Sequence, residues 1–221
     1  MRLNRALPTL LALCLLPFAA PAQQPARPTS TPYSGDLSIF DTPGREERLD
    51  INRVMDLLKI APGKNVADIG AGSGWFTIRA AHRVLSSGAG AASGTVFAED
   101  INPAAITFID ERAKRFPLTN VHTVLGTPDD PKLPAASVDA VLMLKVYHEI
   151  ARPIPFMQTL RASLRPNALV GIIDRNGSGT DHGLNRTILE HEMTLAGFRE
   201  IGHYDFTKKD NEDYFLIFVA K

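Results

Sequence analysis

Short apolar stretches alternate with segments of helical period along most of the chain. Runs in which most positions are apolar predict buried strands, and apolar residues three or four positions apart predict amphipathic helices. We therefore expect strands at 65–69, 95–99, 121–125, 138–144, 169–174, 199–205 and 214–220. Helices are expected at 45–59, 75–85, 103–116, 154–164 and 184–196. A loop rich in Gly, Ala and Ser is expected at 86–94.

This alternation indicates an α/β fold. Strands that are separated by helices form a mostly parallel sheet, because a parallel connection needs a crossover, and helices then cover both faces of the sheet. Only residues 206–212 join the last two expected strands. A connection this short favours antiparallel pairing, so we predict an antiparallel pair of strands at the C-terminal edge.

The N-terminus has the pattern of a secretory signal peptide. Arg2 and Arg5 precede the apolar run at 10–16, and the small residues at 20–22 suit a signal peptidase. We predict that residues 1–22 are removed and that the protein is exported, to the periplasm or the medium. The alternative is a retained N-terminal anchor. Residues 23–44 are rich in Pro and read as a linker, which leaves 45–221 as the folded domain.

Composition and charge exclude several classes of protein. The 221 residues contain 24 Lys and Arg against 24 Asp and Glu. A protein held to nucleic acid by a broad basic surface is therefore not expected. The only cysteine is Cys14, inside the signal-like segment, so neither an intrachain disulfide nor a zinc site made of cysteines can form. No stable membrane span is expected once residues 1–22 are removed.

A Gly-rich turn follows the first expected strand. Gly70, Gly72 and Gly74 lie between that strand and the next helix, where a ligand's backbone can approach closely and free N–H groups face an anion. A dinucleotide motif read from Gly70 needs a small residue at position 75, and Trp75 stands there. The spacing therefore argues against a nicotinamide-dependent reductase. Asp68, two residues before Gly70, is the feature that distinguishes this turn.

Together, Asp68, Gly70, Gly72 and Gly74 resemble the first motif of class I S-adenosylmethionine (SAM)-dependent methyltransferases. The resemblance covers roughly residues 45–221. The signal-like start, the PGKNVADIGAG segment at 62–72 and the Tyr-His-Glu segment at 147–149 also resemble a group of exported predicted methyltransferases. The resemblance implies a Rossmann-like, seven-stranded sheet whose last strand is inserted antiparallel. It also implies SAM as the cofactor.

The same resemblance implies a set of cofactor-binding residues. Asp100 occupies the acidic place at the end of the second strand, where a carboxylate accepts the ribose hydroxyls, and Glu99 is the alternative one position earlier. The loop with Asp129 and Asp130 lies in the place near the adenine. The full set of residues implied is Asp68, Gly70, Gly72, Gly74, Asp100, Ile101, Asp129, Asp130 and Lys145.

The segment after the fourth strand is the candidate for catalysis. In the family this place faces the transferred methyl group, and here it holds Tyr147, His148 and Glu149. His148 is a candidate general base because the pKa of histidine lies near neutrality, and Tyr147 is expected to pack against the substrate or the sulfonium. The alternative is that His148 and Glu149 only cap and orient the next loop.

The sequence offers no convincing metal site. His182, His191 and His203 lack the spacing of zinc ligands. Asp174 and Asn176 resemble an acidic pair that holds magnesium in some methyltransferases, but the family's other acid is replaced by Lys145. We therefore expect no metal.

The expected function is methyl transfer from SAM to a small molecule or an envelope component. The alternative is an exported, non-catalytic protein that binds SAM or a nucleoside. This alternative is open because SAM is made inside cells, and export separates enzyme from cofactor. The sequence predicts neither the acceptor nor the oligomeric state.

Overall fold

The computed structural model describes residues 26–86 and 92–221, so the predicted signal segment and most of the Gly-rich loop near residue 90 lie outside the described residues. Seven strands form one sheet: β1 (Val66–Ile69), β2 (Val96–Asp100), β3 (Val121–Leu125), β4 (Val138–Leu144), β5 (Leu164–Asp174), β6 (Phe198–Tyr204) and β7 (Tyr214–Ala220). The α-helices are α1 (Arg45–Leu49), α2 (Ile51–Leu57), α3 (Trp75–Val84), α4 (Pro103–Arg115), α5 (Pro153–Ser163) and α6 (Arg186–Leu195).

The sheet has the order β3-β2-β1-β4-β5-β7-β6. β1 pairs in parallel with β2 on one side and β4 on the other, and β7 lies antiparallel between β5 and β6. The seven-stranded Rossmann-like sheet and its antiparallel C-terminal pair are thus confirmed. The carboxyl ends of the parallel strands meet at one edge, which is where open α/β sheets bind ligands.

Apolar layers cover both faces of the sheet. Leu142 packs with residues of α2 and α3, whereas its neighbours Val141 and Met143 pack with α5 and α6. This alternation within β4 follows from the two-residue period of a strand. Because both faces are filled, the strand ends are the natural place for ligand-binding side chains.

Two elements differ from their predicted bounds. The helix expected at 45–59 is broken at Asp50, whose φ of 51° ends α1 and starts α2. β5 begins at Leu164, five positions before its predicted start, because Leu164 pairs with Val138 across an irregular stretch of β4 and β5. The residues that follow Leu164 are polar and do not have the pattern of a buried strand, so the sequence did not predict that β5 begins this early.

The segment predicted as a linker packs against the domain. The backbone N–H of Arg27 donates to the carbonyl of Ala151 over 2.9 Å, and Ser30 is buried. A 3₁₀ turn at Leu37–Phe40 follows, with Leu37 also buried. Hydrogen bonds to backbone carbonyls, rather than a large apolar face, hold this segment, which explains why its composition read as a linker.

Within the described residues, no helix has both the length and the apolar character needed to cross a membrane.

Candidate active site

The Gly-rich turn adopts a backbone that favours glycine. Gly70, Gly72 and Gly74 have φ values of 64°, 53° and 71°, in the left-handed region. A Cβ atom on Gly70 would lie 2.3 Å from Cγ2 of Val146, which belongs to the loop after β4. Because Gly70 has no side chain, the Gly-rich turn can approach the loop after β4, which holds the candidate catalytic residues.

Asp68 joins the strand before the turn to the helix after it. Its carboxylate accepts a 2.6 Å hydrogen bond from the Thr77 hydroxyl of α3. Burial raises the pKa of Asp68 to about 7. The carboxylate fixes the geometry of the turn and adds a buried acidic group to this end of the sheet.

Asp100 and Glu99 both face the Gly-rich turn. Asp100 accepts hydrogen bonds from the backbone N–H groups of Gly72 (2.9 Å) and Asn102 (2.8 Å). Glu99 accepts a long hydrogen bond from the N–H of Gly70 (3.4 Å), and its other oxygen is buried without a hydrogen-bond partner among the described residues. Burial, followed by the charge of Asp100, raises the pKa of Glu99 to about 8. Two carboxylates therefore lie where the resemblance implies a single carboxylate for the ribose hydroxyls.

The loop after β3 lies beside the second strand. The N–H of Gly126 donates to the carbonyl of Asp100 over 3.1 Å, which places this loop next to the half-exposed Ile101. The carboxylate of Asp129 is paired with the Arg152 guanidinium. Asp130 accepts from the backbone N–H of Lys132 and pairs with its ammonium. The two aspartates thus flank the expected adenine place with their carboxylates already paired.

Lys145 ends β4 with a φ of 61°. Its ammonium lies 2.5 Å from a carboxylate oxygen of the buried Glu212, which precedes β7. The charge of Lys145 is therefore engaged by Glu212, and its backbone N–H donates to the carbonyl of Ile173 over 2.9 Å.

His148 forms a buried pair with Asp174, at the end of β5. Its Nδ1 lies 2.9 Å from both carboxylate oxygens of Asp174. The carboxylate is fully buried and also accepts from the backbone N–H of Arg175 (2.9 Å). A proton on Nδ1, shared with Asp174, leaves Nε2 as the free acceptor of the ring.

Glu149 faces that free nitrogen. One of its carboxylate oxygens lies 3.9 Å from Nε2 of His148. Burial raises the pKa of Glu149 to about 7; the His148 charge opposes this, whereas Asp100 and Asp174 add to it. Glu149 therefore lies on the Nε2 side of the His148–Asp174 pair.

Tyr147 does not fit its expected role. Its ring is fully buried among apolar residues of α5 and α6, beneath the guanidinium of Arg27. Because the ring is fully buried in the core, it supports the loop and offers no exposed surface for the expected contact with a substrate or the sulfonium. Burial also raises the pKa of the Tyr147 hydroxyl well above its ordinary value.

The sequence did not reveal the contacts of the N-terminal segment. Arg27 donates to the carbonyls of Tyr147 (2.6 Å) and His148 (3.3 Å) and forms an ion pair with Glu192 at 3.1 Å. Ser30 accepts from the backbone N–H of His182 over 2.8 Å. Residues 27–30, which we call the N-terminal strap, therefore contact both the loop after β4 and the loop after β5. The residues around Arg27 form no motif that predicts these contacts.

A second group of contacts surrounds the start of α3. Arg45, a charged residue at the start of α1, is buried and pairs with Asp210 at 3.3 Å. The guanidinium groups of Arg45 and Arg79 lie 4.6 Å and 4.0 Å from the centre of the Trp75 ring. Trp75 is thus a core residue held by two cations, which stiffens the start of α3.

Comparisons with known proteins agree with the expected family. Residues 67–170 match a family model described as "Methyltransferase domain". A protein-L-isoaspartate O-methyltransferase from Pyrococcus horikoshii is 27% identical over 101 residues, which are 46% of this chain and 42% of that protein. The chain therefore spans less than half the length of this curated relative.

Solved structures share the fold. A SAM-dependent methyltransferase from Aquifex aeolicus has a TM-score of 0.74 at 21% identity, covering 85% of this chain and all of that one. One from Mesorhizobium loti has a TM-score of 0.62 at 14% identity, covering 80% and 100%. The cyclase SpnF has a TM-score of 0.63 at 14% identity, covering 84% and 68%. The fold therefore hosts more than one chemistry. The family model and the named methyltransferases support the expected enzyme class and its cofactor, SAM.

Proposed function

We propose that this protein is an exported enzyme that transfers a methyl group from SAM to a small molecule or an envelope component. The observation that carries the proposal is a single arrangement at the carboxyl edge of the sheet. The Gly-rich turn bonded to Asp100 lies on one side of it, and the His148–Asp174 pair lies on the other. Val146, packed on Gly70, joins the two sides.

The first side suits the cofactor. The Asp100 and Glu99 carboxylates would hold the ribose hydroxyls, and Ile101 and the loop after β3 would face the adenine. The Gly-rich turn and Asp68 would hold the methionine part. Asp68, Glu99 and Asp100 are all buried here, and none of the three forms a salt bridge with a basic side chain of the described residues, so their carboxyl groups lack a cationic partner. A cationic sulfonium cofactor relieves that imbalance.

The second side suits the acceptor. The acceptor atom attacks the methyl carbon in line, a new bond to carbon forms, and the bond between carbon and sulfur breaks. The sulfonium becomes the neutral thioether of S-adenosylhomocysteine, and a proton from the acceptor passes to Nε2 of His148. Positioning of the two reactants supplies most of the acceleration, and Asp174 holds the ring in the required tautomer.

Methyl release tests this function. The purified chain 23–221 is incubated with SAM labelled in its methyl group and with extracts of small molecules or envelope fractions. We expect label in an extract component with the parent, and much less with His148→Ala. Cofactor binding without transfer to any fraction would instead favour the non-catalytic alternative.

Export is part of the proposal and has its own test. We expect native protein to begin at Gln23 and to be found outside the cytoplasm. Such a chain keeps the N-terminal strap and both sides of the site. Mass spectrometry of native protein that finds Met1 in a cytoplasmic fraction would contradict export.

A further inference from the structure

We propose that His148, Glu149 and His182 form a site for one divalent transition-metal ion of the zinc type. Each residue offers one ligand atom, and these three atoms lie within 4.8 Å of one another. The two histidine rings meet edge to face with their centres 6.0 Å apart. The helix α5, the strand β5 and a loop separate His182 from His148 along the chain, so sequence spacing did not indicate this site.

The orientation of His148 favours coordination. Metal-binding histidines usually donate their second ring N–H to a carboxylate, which fixes the ring and makes the ligand nitrogen more basic. Asp174 plays this part, with both oxygens 2.9 Å from Nδ1 of His148. Asp174 is itself fixed by the backbone N–H groups of Arg175 (2.9 Å) and His148 (3.3 Å). Nε2 therefore points, with its lone pair available, toward Glu149.

Glu149 lacks the partners that the other acids have. Among the described residues, no donor makes a hydrogen bond to its carboxylate, and the titratable group beside it is the His148 ring at 3.9 Å. The nearby Arg27 cannot serve, because its guanidinium is engaged by Glu192 and by two backbone carbonyls. The Glu149 carboxylate is thus left without a basic partner among the described residues and is available to coordinate an ion.

The loop that carries His182 is held by its backbone. The carbonyl of His182 accepts from Nε of Arg175 over 2.8 Å, and its N–H donates to Ser30 over 2.8 Å. The N–H of Gly179 donates to the carbonyl of Gly183 over 2.8 Å and closes the loop. His182 has a φ of 58°, which is uncommon for a residue with a side chain and persists where the surroundings impose it. The backbone is thus fixed while the exposed ring can turn onto an ion.

The distances suit an ion after a small closure. Ligands at ~2.1 Å from a tetrahedral ion lie about 3.4 Å apart. The 3.9 Å between Nε2 and the Glu149 oxygen needs an adjustment of a few tenths of an ångström, and the mobile ring of His182 supplies the rest. Two histidines and one glutamate form a known catalytic zinc set, which leaves a fourth position open.

The open position deepens the proposed function, on which this step rests. An acceptor oxygen that binds the ion loses its proton more easily, because the cation stabilises the oxyanion. A bound ion would replace the proton route described above: Nε2 of His148 would coordinate the ion instead of accepting the proton, and the proton of the metal-bound acceptor would pass to water. The acceptor would then be an oxygen nucleophile held beside the methyl group.

Zinc binding is tested on the chain 23–221 after removal of metal with a chelator. Calorimetric titration with Zn²⁺ should give one ion per chain. His182→Ala should weaken binding by ~100-fold or more, since it removes a ligand, and Asp174→Asn by ~10–100-fold, the range for supporting residues. His203→Ala is the matched control, because His203 is an exposed histidine bonded to Arg186, and it should bind Zn²⁺ as the parent does.

The outcomes separate this site from the proposed function. If the parent binds no Zn²⁺ in a saturable way, or if His182→Ala binds it as tightly as the parent, the metal site is wrong. SAM titrations of the same samples report on the cofactor site alone, and His182→Ala should leave them unchanged. Zinc binding that survives while SAM fails to bind would contradict the proposed function and leave the metal site standing.

Discussion

The cofactor side and the acceptor side of this site are built in different ways. The hydrogen bonds that shape the cofactor side fall largely within residues 68–100, where Asp68 accepts from Thr77 and Asp100 accepts from the N–H of Gly72, with outside support from Asp41 on Ser73. The acceptor side joins residues far apart in the chain, since Arg27 holds the carbonyl of His148 and Ser30 holds the backbone of His182. A local motif fixes how the cofactor binds, whereas long-range contacts through the backbone fix what lies opposite the methyl group. The cofactor side can therefore stay the same while the acceptor side changes, which suits a fold that serves many acceptors.

The largest expected effect lies on the acceptor side. His148→Ala should lower turnover by ~10²–10⁴-fold, the loss typical of a group that activates the acceptor. Cofactor affinity should change little, because the cofactor contacts lie on other loops. Single-turnover rates and SAM titrations measure the two effects separately. Tyr147→Phe is the matched control, since it removes only a buried hydroxyl beside Glu192 and leaves the ring in the core. Near-normal turnover with lower thermal stability in His148→Ala would instead mean that His148 only orients the loop.

The second-largest expected effect is a loss of SAM affinity on the cofactor side. Asp100→Ala should weaken SAM and S-adenosylhomocysteine binding by about 1.5–3 kcal/mol, which is roughly 10- to 150-fold in Kd. The carboxylate is lost both as a partner for the ribose and as the anchor of the Gly72 N–H. Calorimetry on the folded variant measures the change. Glu111→Ala is the control, because that carboxylate is exposed on α4 and is paired with Lys114. If Asp100→Ala binds normally and Glu99→Ala does not, Glu99 is the ribose ligand.

A smaller effect on turnover is expected when the N-terminal strap loses its contact with the acceptor side. Arg27→Ala removes the donors that hold the carbonyls of Tyr147 and His148. We expect turnover to fall by about tenfold, in line with one or two hydrogen bonds from a charged group. SAM affinity should stay within twofold of the parent, and Arg199→Ala, on exposed β6, should change neither quantity. A large loss of SAM affinity in Arg27→Ala would show that the two sides are not separable.

The smallest effect concerns stability and pH. Burial raises the pKa of Glu99 to about 8 and that of Asp68 to about 7, both above the values of an unfolded chain. The folded state therefore binds more protons than the unfolded state between about pH 4 and pH 8, and stability falls as pH rises through that window. Glu99→Gln should flatten this fall, and Glu47→Gln, on exposed α1, should not. Denaturant titrations at pH 5 and pH 8 check it, and an unchanged slope in Glu99→Gln would contradict the assignment.

The sequence predicted the parts that depend on local pattern. β3, β4 and β7 have the predicted bounds because their apolar residues form runs that end at polar turns. The Gly-rich turn was found because its spacing is set by one loop. The antiparallel β7 followed from the short connection before it.

The parts that depend on distant residues escaped prediction. The break at Asp50 needs a left-handed residue that the apolar spacing does not mark. The strap contacts backbone carbonyls, for which no residue pattern exists in the partner loops. His182 reaches His148 only because β5 and the loop after it place the two together. Residues that act through the backbone, or across a sheet, leave little trace in one sequence.

The binding of SAM tests the central claim most directly. Titration calorimetry of the chain 23–221 with SAM, S-adenosylhomocysteine and NAD should show one site that takes the first two and not the third. The same titrations with Asp100→Ala and His148→Ala should then divide the site, with affinity lost in the first and kept in the second. No heat with SAM or S-adenosylhomocysteine from folded protein, or equal binding of NAD, would contradict the account.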